Sequence, residues 1–199
     1  LGLGLGLGLG LGLGLALALA LALALVGLGL GCTSQVVAAA AGGAETLGHA
    51  AQMEKPVLIS DEVNYAWNFL NYPIHTITAK PKEESPKSCA ILLIHGFGAS
   101  TDHWRFNIPV LSDKYEVHAI DLLGFGKSPK PTDVQYSSHL WKDQVATYVK
   151  EVIKKPTFIV GNSLGGYASL AASAELKELS AGVVLLNAAG MFSEEKVSN

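Results

Sequence analysis

The chain has 199 residues, 49% of them hydrophobic, and a formal net charge of −3. It holds a single arginine and no basic stripe interleaved with aromatics, which excludes a nucleic-acid-binding surface. Two cysteines in unlike contexts, Cys32 beside an apolar repeat and Cys89 at the start of a strand, give no support for a disulfide framework, and Cys89 reads as a small buried residue.

Residues 1–31 alternate Leu-Gly and then Leu-Ala, with no charged residue before Glu45. The tract inflates the mean hydropathy of +0.33, so the remainder is judged without it. Three readings compete. Its length would span a bilayer, since about 20 apolar residues suffice. Against that, its first half is rich in glycine, a poor helix former, and no Lys or Arg flanks it. A secretory signal needs a basic start, and an organelle transit peptide needs Arg and Ser; residues 1–31 contain none of these. The third reading, ranked first, is a simple-sequence repeat translated into the reading frame. Because the chain begins with Leu, its true start is expected upstream. Residues 32–60, including His49, read as linker, and residues 61–199 read as the globular part.

Tyr65 to Leu70 and Ile74 to Ala79 are expected to form a hairpin around Asn71-Tyr72-Pro73. Pro81 to Pro86 is a charged, solvated turn. Cys89 to Ile94 is an uninterrupted apolar run, as a strand buried on both faces requires, and it ends in His95-Gly96-Phe97-Gly98. Asp102 to Leu111 reads as a short helix with Ser100 or Thr101 as N-cap. Tyr115 to Asp121 is the next strand. The turn after it, Gly124-Phe125-Gly126-Lys127-Ser128, imitates the end of a phosphate-binding loop. That motif needs glycine where Asp121 stands, and Pro129 and Pro131 block the helix that should follow. Ser138 to Lys155 is the clearest helix, with Trp141, Val145, Tyr148, Val149 and Val152 on one face and Pro156 as its stop. Thr157 to Val160 is a strand, about Leu164 to Leu179 a helix, and Ala181 to Leu186 a last strand. Strands alternating with helices imply right-handed crossovers and a mostly parallel sheet.

Between the strand at 157–160 and its helix lies Gly161-Asn162-Ser163-Leu164-Gly165. Strand, tight turn and helix with serine at the centre of G-x-S-x-G is the pattern of a nucleophile elbow. The pattern presents the hydroxyl of Ser163 at the C-terminal edge of a sheet. The backbone N–H groups of Leu164 and Phe97 are then the candidate donors to a developing oxyanion, each worth about 3 kcal/mol. Gly96 and Gly98 let the backbone pass close to a substrate, and Gly161 and Gly165 give the turn room. His95 is read as shaping this loop through hydrogen bonds and not as the base. His103 and His118 read as structural or surface residues, and His139 and His75 as residues near a helix start and on a strand.

The motifs ILLIHGFGAS, HWRFNIPVLSDKYEVHAIDLLGFGKSPKP, GNSLGGYASLAA and GVVLLNAAG, in that order, resemble the first half of an α/β-hydrolase fold, with wording nearest to plant, algal and cyanobacterial pheophytinase-like hydrolases. The resemblance implies an incomplete α/β-hydrolase fold with helices on both faces of the sheet. It implies a serine nucleophile at Ser163, an acyl-enzyme, no metal or cofactor, and a small apolar ester-like substrate, or a large apolar ester where the pheophytinase-like wording is followed. Asp121 would order the D-x-x-G-x-G-x-S turn. Dehalogenases and epoxide hydrolases of this fold carry aspartate where Ser163 stands. A plastid location follows from the resemblance, with the cytoplasm as the alternative. No Asp or His follows Ser163; Glu175, Glu178, Glu194 and Glu195 are the only later acids, and Asn187 stands where some relatives place theirs. The acid, the base and the substrate-shaping cap are therefore expected beyond Asn199, leaving this chain poorly soluble and inactive. The alternative is a non-catalytic binding protein of the same fold.

Overall fold

The computed structural model describes residues 35–39, 64–81 and 89–189. The repeat at 1–31, Cys32, His49, most of the turn at 81–86 and everything from residue 190, Glu194 and Glu195 included, lie outside the described residues.

Seven strands form one sheet in the order β1-β7-β6-β4-β5-β3-β2. They are β1 (Gln35–Ala39), β2 (Asn64–Phe69), β3 (Tyr72–Ala79), β4 (Ala90–Ile94), β5 (Glu116–Ile120), β6 (Thr157–Asn162) and β7 (Ser180–Leu186). The pairs β4–β5, β4–β6, β6–β7 and β1–β7 are parallel, whereas β2–β3 and β3–β5 are antiparallel. The helices are α1 (Asn107–Ser112), α2 (Ser138–Tyr148) and α3 (Leu164–Leu176). This is a partial α/β-hydrolase fold, as the motif order implied.

All five residues of β4 are buried, and they divide by alternation between two cores. Leu92 and Ile94 face a core with Trp141, Val145 and Tyr148 of α2 and Ala168, Ala172 and Leu176 of α3. Ile91 and Leu93 face a second core with Trp104, Ile108 and Leu111. Helices therefore cover both faces, which is why β4, β6 and β7 read as continuous apolar runs.

Four local features depart from the sequence reading. Strand β1 falls inside the stretch read as linker; its Val36-Val37 pair suits a strand, and it pairs in register with β7 from Gln35↔Gly182 to Ala39↔Leu186. The expected helix at 102–111 splits into a 3-10 turn, Thr101–Trp104, capped by the Ser100 hydroxyl, and the short α1. The long helix ends its α-helical part at Tyr148 and widens into a π turn, Val149–Ile153, which Lys154 closes at φ 58°. Cys89 is buried as expected, but it is disulfide-bonded, which corrects the reading that the cysteines give no support for a disulfide.

The hairpin at Leu70-Asn71 has two successive positive φ angles, 51° and 67°. This mirror-image turn matches the right-handed twist of the flanking strands.

Candidate functional site

The register Ile94↔Ile120 and Ile94↔Gly161 brings the ends of β4, β5 and β6 to one edge. Beyond that edge stand His95, Asp121 and Ser163. The chain goes from β4 to β5 on one side and returns to β6 on the other, so the strand order reverses here. In open parallel sheets that crevice is where ligands bind.

Ser163 links β6 to α3 with φ 51° and ψ −117°, a backbone conformation L-residues rarely adopt. Four hydrogen bonds secure the turn. Its N–H donates to the Leu186 carbonyl at 3.0 Å, and its own carbonyl accepts from Gly166 N–H and Ala189 N–H, both at 3.0 Å, and from Tyr167 N–H at 3.3 Å. Gly161 and Gly165 make the turn sterically possible. A Cβ on Gly161 would strike the Gly165 carbonyl, and one on Gly165 would strike the carbonyls of His95 and Ile94. The elbow is thus wedged against the end of β4, and Ser163 itself stays half-buried.

On the facing side, a Cβ on Gly96 would sit 3.2 Å from the Ser163 Cβ. Leu164 opens α3, so its N–H has no intrahelical acceptor. Among the described residues, neither that N–H nor the N–H of Phe97 donates to a loop or turn acceptor. Gly98 turns the chain at φ 68° with open space around it. The Phe97 side chain is 77% exposed.

The histidine between them is fully committed. His95 is buried; its Nδ1–H donates to the Gly96 carbonyl at 2.7 Å, and its Nε2 accepts from Leu122 N–H at 3.0 Å. Both bonds together fix one neutral tautomer. Burial pushes its pKa down, more than the Gly96 bond and nearby Asp121 raise it.

Asp121 ties the loops together. One carboxylate oxygen accepts from Thr101 N–H at 2.6 Å; the other accepts from Lys127 N–H at 2.7 Å and His75 Nδ1–H at 2.9 Å. Burial alone would raise its pKa, but these donors hold it below the ordinary carboxylate value. Gly126, at φ 54°, leaves no room for a Cβ beside this carboxylate. The Asp121 carbonyl also accepts from Ser128 Oγ at 2.8 Å and Gln144 Nε2 at 3.2 Å. His75, Thr101 and Gln144 were not singled out for this loop by sequence reasoning. Their partners lie 20 to 46 positions away, and only the strand pairing of β3 with β5 brings His75 within reach.

His118 and Tyr148 lie inside the fold, His103 packs edge-on against Trp104, and His139 is exposed on α2. Glu175 pairs with two surface lysines, Glu178 is exposed, and Asn187 ends β7 at φ 45°. Among the described residues, no group of three or more His, Cys, Asp or Glu is placed to hold a metal, and no helix is long and apolar enough to cross a membrane.

Residues 90–198, more than half the chain, match the family model described as the alpha/beta hydrolase fold. The chain belongs to the α/β-hydrolase fold family. It is 39% identical over 119 residues to 2-hydroxy-6-oxo-6-(2'-aminophenyl)hexa-2,4-dienoic acid hydrolase of Metapseudomonas resinovorans, covering 56% of this chain and 39% of that protein. It is 35% identical over 129 residues to the chloroplastic pheophytinase of Arabidopsis thaliana, covering 50% of this chain and 27% of that protein. Among solved structures it resembles a serine hydrolase involved in carbazole degradation, with TM-score 0.55 and 33% identity over 66% of this chain and 48% of that one. These α/β-hydrolase relatives are named hydrolases, and the chain spans between 27% and 39% of the length of these two sequence relatives.

Proposed function

We propose that this chain supplies the nucleophile and oxyanion-binding half of a serine hydrolase acting on an ester-like carbonyl. The observation that carries the reading is Ser163 held at φ 51° on a turn whose neighbours are glycine on both sides. A strained turn of this kind persists only when its surroundings over-determine it, and such turns cluster at functional sites. The hydroxyl attacks the carbonyl carbon. The amides of Leu164 and Phe97 receive the oxyanion. The ester C–O bond breaks to expel the alcohol, which takes the serine proton through the base, and water then hydrolyses the acyl-enzyme to the acid and free serine. His95, Gly96, Gly98 and Asp121 position the loop that carries Phe97.

The serine needs a base. No histidine or aspartate follows it in this sequence, and His95 has both ring nitrogens engaged. The reading therefore takes the base and its acid from sequence beyond this chain, and takes the chain alone to be inactive toward esters. A fluorophosphonate probe applied to the full-length gene product, followed by peptide mass spectrometry, tests it. Adducts on Ser163, lost in Ser163→Ala, are the expected result. A product that folds and hydrolyses nothing, with Ser163 unlabelled, supports the second reading, a binding protein of this fold. The substrate is taken to be an apolar ester, and the pheophytinase relative favours a large one and a plastid location over the cytoplasm.

A further inference from the structure

An aromatic run leads away from Ser163 along the same edge of the sheet. Phe97, 77% exposed, meets Phe125 edge to face at 5.3 Å between centroids. Phe125 meets the His95 ring at 5.8 Å and Trp141 at 5.7 Å, and Trp141 stacks with Tyr136 at 6.4 Å. Phe125 and Leu164, the residue after the candidate nucleophile, pack against the same core. The run starts at Phe97, the residue after Gly96, where a Cβ would sit 3.2 Å from the Ser163 Cβ.

The array is preorganised. The His95 ring is locked by its two backbone bonds, and Trp141 Nε1–H donates to the Leu123 carbonyl at 3.0 Å. The Tyr136 ring covers Gly124, at φ 95°, where a Cβ would collide with it, and the Tyr136 hydroxyl donates to the Pro131 carbonyl. Of the adjacent charges, Lys130 donates to the carbonyls of Gly126 and Ser128 and Asp121 is buried, while Lys127 is exposed at the rim of the loop. What the rings of Phe97 and Phe125 offer a ligand is an aromatic surface that loses little freedom on binding.

We infer that Phe97 and Phe125 form a subsite for a planar aromatic or conjugated group of the substrate, with the more exposed Phe97 as the specificity-determining residue and Phe125 as its supporting ring. The inference rests on the serine-hydrolase reading of Ser163. Edge-to-face and offset contacts with a flat ring add to simple apolar burial, and a saturated chain does not gain them.

The test compares inactivation of the full-length product by phenylmethanesulfonyl fluoride and butanesulfonyl fluoride. Each forms an O–S bond at Ser163 with loss of fluoride, and each rate is divided by that reagent's hydrolysis rate in buffer. The aryl reagent is expected to be faster by about tenfold, falling by about threefold in Phe125→Leu and toward parity in Phe97→Leu, which keeps the backbone amide. Both variants are read as ratios, so a general loss of reactivity does not count for the subsite. Labelling of Ser163 at equal normalised rates overturns the subsite alone, as does an aryl preference unchanged in both variants, which would place the ring elsewhere. A failure of both reagents to label Ser163 overturns the serine-hydrolase reading with it.

Discussion

Two buried histidines, His95 just past β4 and His118 within β5, show how differently the site edge and the interior of this sheet are held. At the site edge, His95 spends both ring nitrogens on main-chain groups, Gly96 and Leu122. Within the sheet, His118 spends both on side chains: Nε2 bonds Glu116 at 2.9 Å, and Nδ1 lies 3.1 Å from the Tyr148 hydroxyl and 3.2 Å from Thr78 Oγ1. Glu116 in turn binds Lys155. One ring aims backbone amides; the other joins β3, β5 and α2 through their side chains. Loops around the site have no ladder to fix them, so buried side chains must take the main-chain partners that a sheet would otherwise provide.

The largest break in that contrast is expected at Asp121, where the site end concentrates its bonds. Asp121→Ala strands the N–H groups of Thr101 and Lys127 and the His75 ring donor. Stranding several buried donors is expected to cost about 3–5 kcal/mol by chemical denaturation. Asp121→Asn keeps an acceptor and should lose roughly half as much. A loss below 1 kcal/mol in Asp121→Ala would mean that the loop does not depend on this carboxylate.

Next in size is the direct comparison of the rings. His95→Ala leaves Leu122 N–H buried without an acceptor and opens a void, for an expected cost of about 2–4 kcal/mol. His118→Ala leaves Glu116 with Lys155 and is expected to cost about 1–2 kcal/mol. Probe labelling of Ser163 in the full-length product separates the roles. It should slow strongly in His95→Ala and stay near wild type in His118→Ala once both are compared as folded protein. Equal slowing in the two variants would remove the distinction between an aiming ring and a joining ring.

Much of this organisation was legible in the sequence, and the exceptions share a cause. The burial of β4, the Ser100 cap and the turn at Ser163 each follow from residues close in the chain: an apolar run, a hydroxyl before a helical turn, glycines two positions either side of a serine. His75 carries no such local mark, because its partner lies 46 positions away across an antiparallel pairing. The π turn at Val149–Ile153 keeps the apolar spacing of an ordinary helix and so is silent in the periodicity. Strand β1 escaped because a Gln, two Val and two Ala beside further Ala and Gly do not stand out until β7 supplies a partner.

Acid tests both rings at once. Burial holds the pKa of His95 and of His118 below the ordinary 6.5, in the latter case against the pull of Glu116. Between the two values the unfolded chain binds more protons, so stability is full above about pH 6.5 and is lost as pH falls toward the folded pKa, at about 1.4 kcal/mol for each unit of difference. The urea midpoint should stay level from pH 8 to 7 and drop by pH 5. His95→Gln and His118→Gln should each make that drop shallower; an unchanged slope in both would assign acid sensitivity elsewhere. The Asp121 carboxyl, held low, enters only below about pH 4.

The smallest effect is expected where the charges are most visible. Glu175 on α3 meets Lys142 of α2 at 2.7 Å and Lys150 of the π turn at 2.5 Å, and these bonds hold its pKa down to about 2. Yet 40% of its side chain faces water, and Lys142 also has Asp143 at 2.5 Å. Solvent screens such pairs, so Glu175→Gln should cost less than about 1 kcal/mol, and the difference from wild type should vanish in about 1 M salt. A loss as large as that of His95→Ala would show that this network, exposed as it is, clamps α2 to α3. The contrast would then run between the surface and the buried core, and not between the site edge and the middle of the sheet.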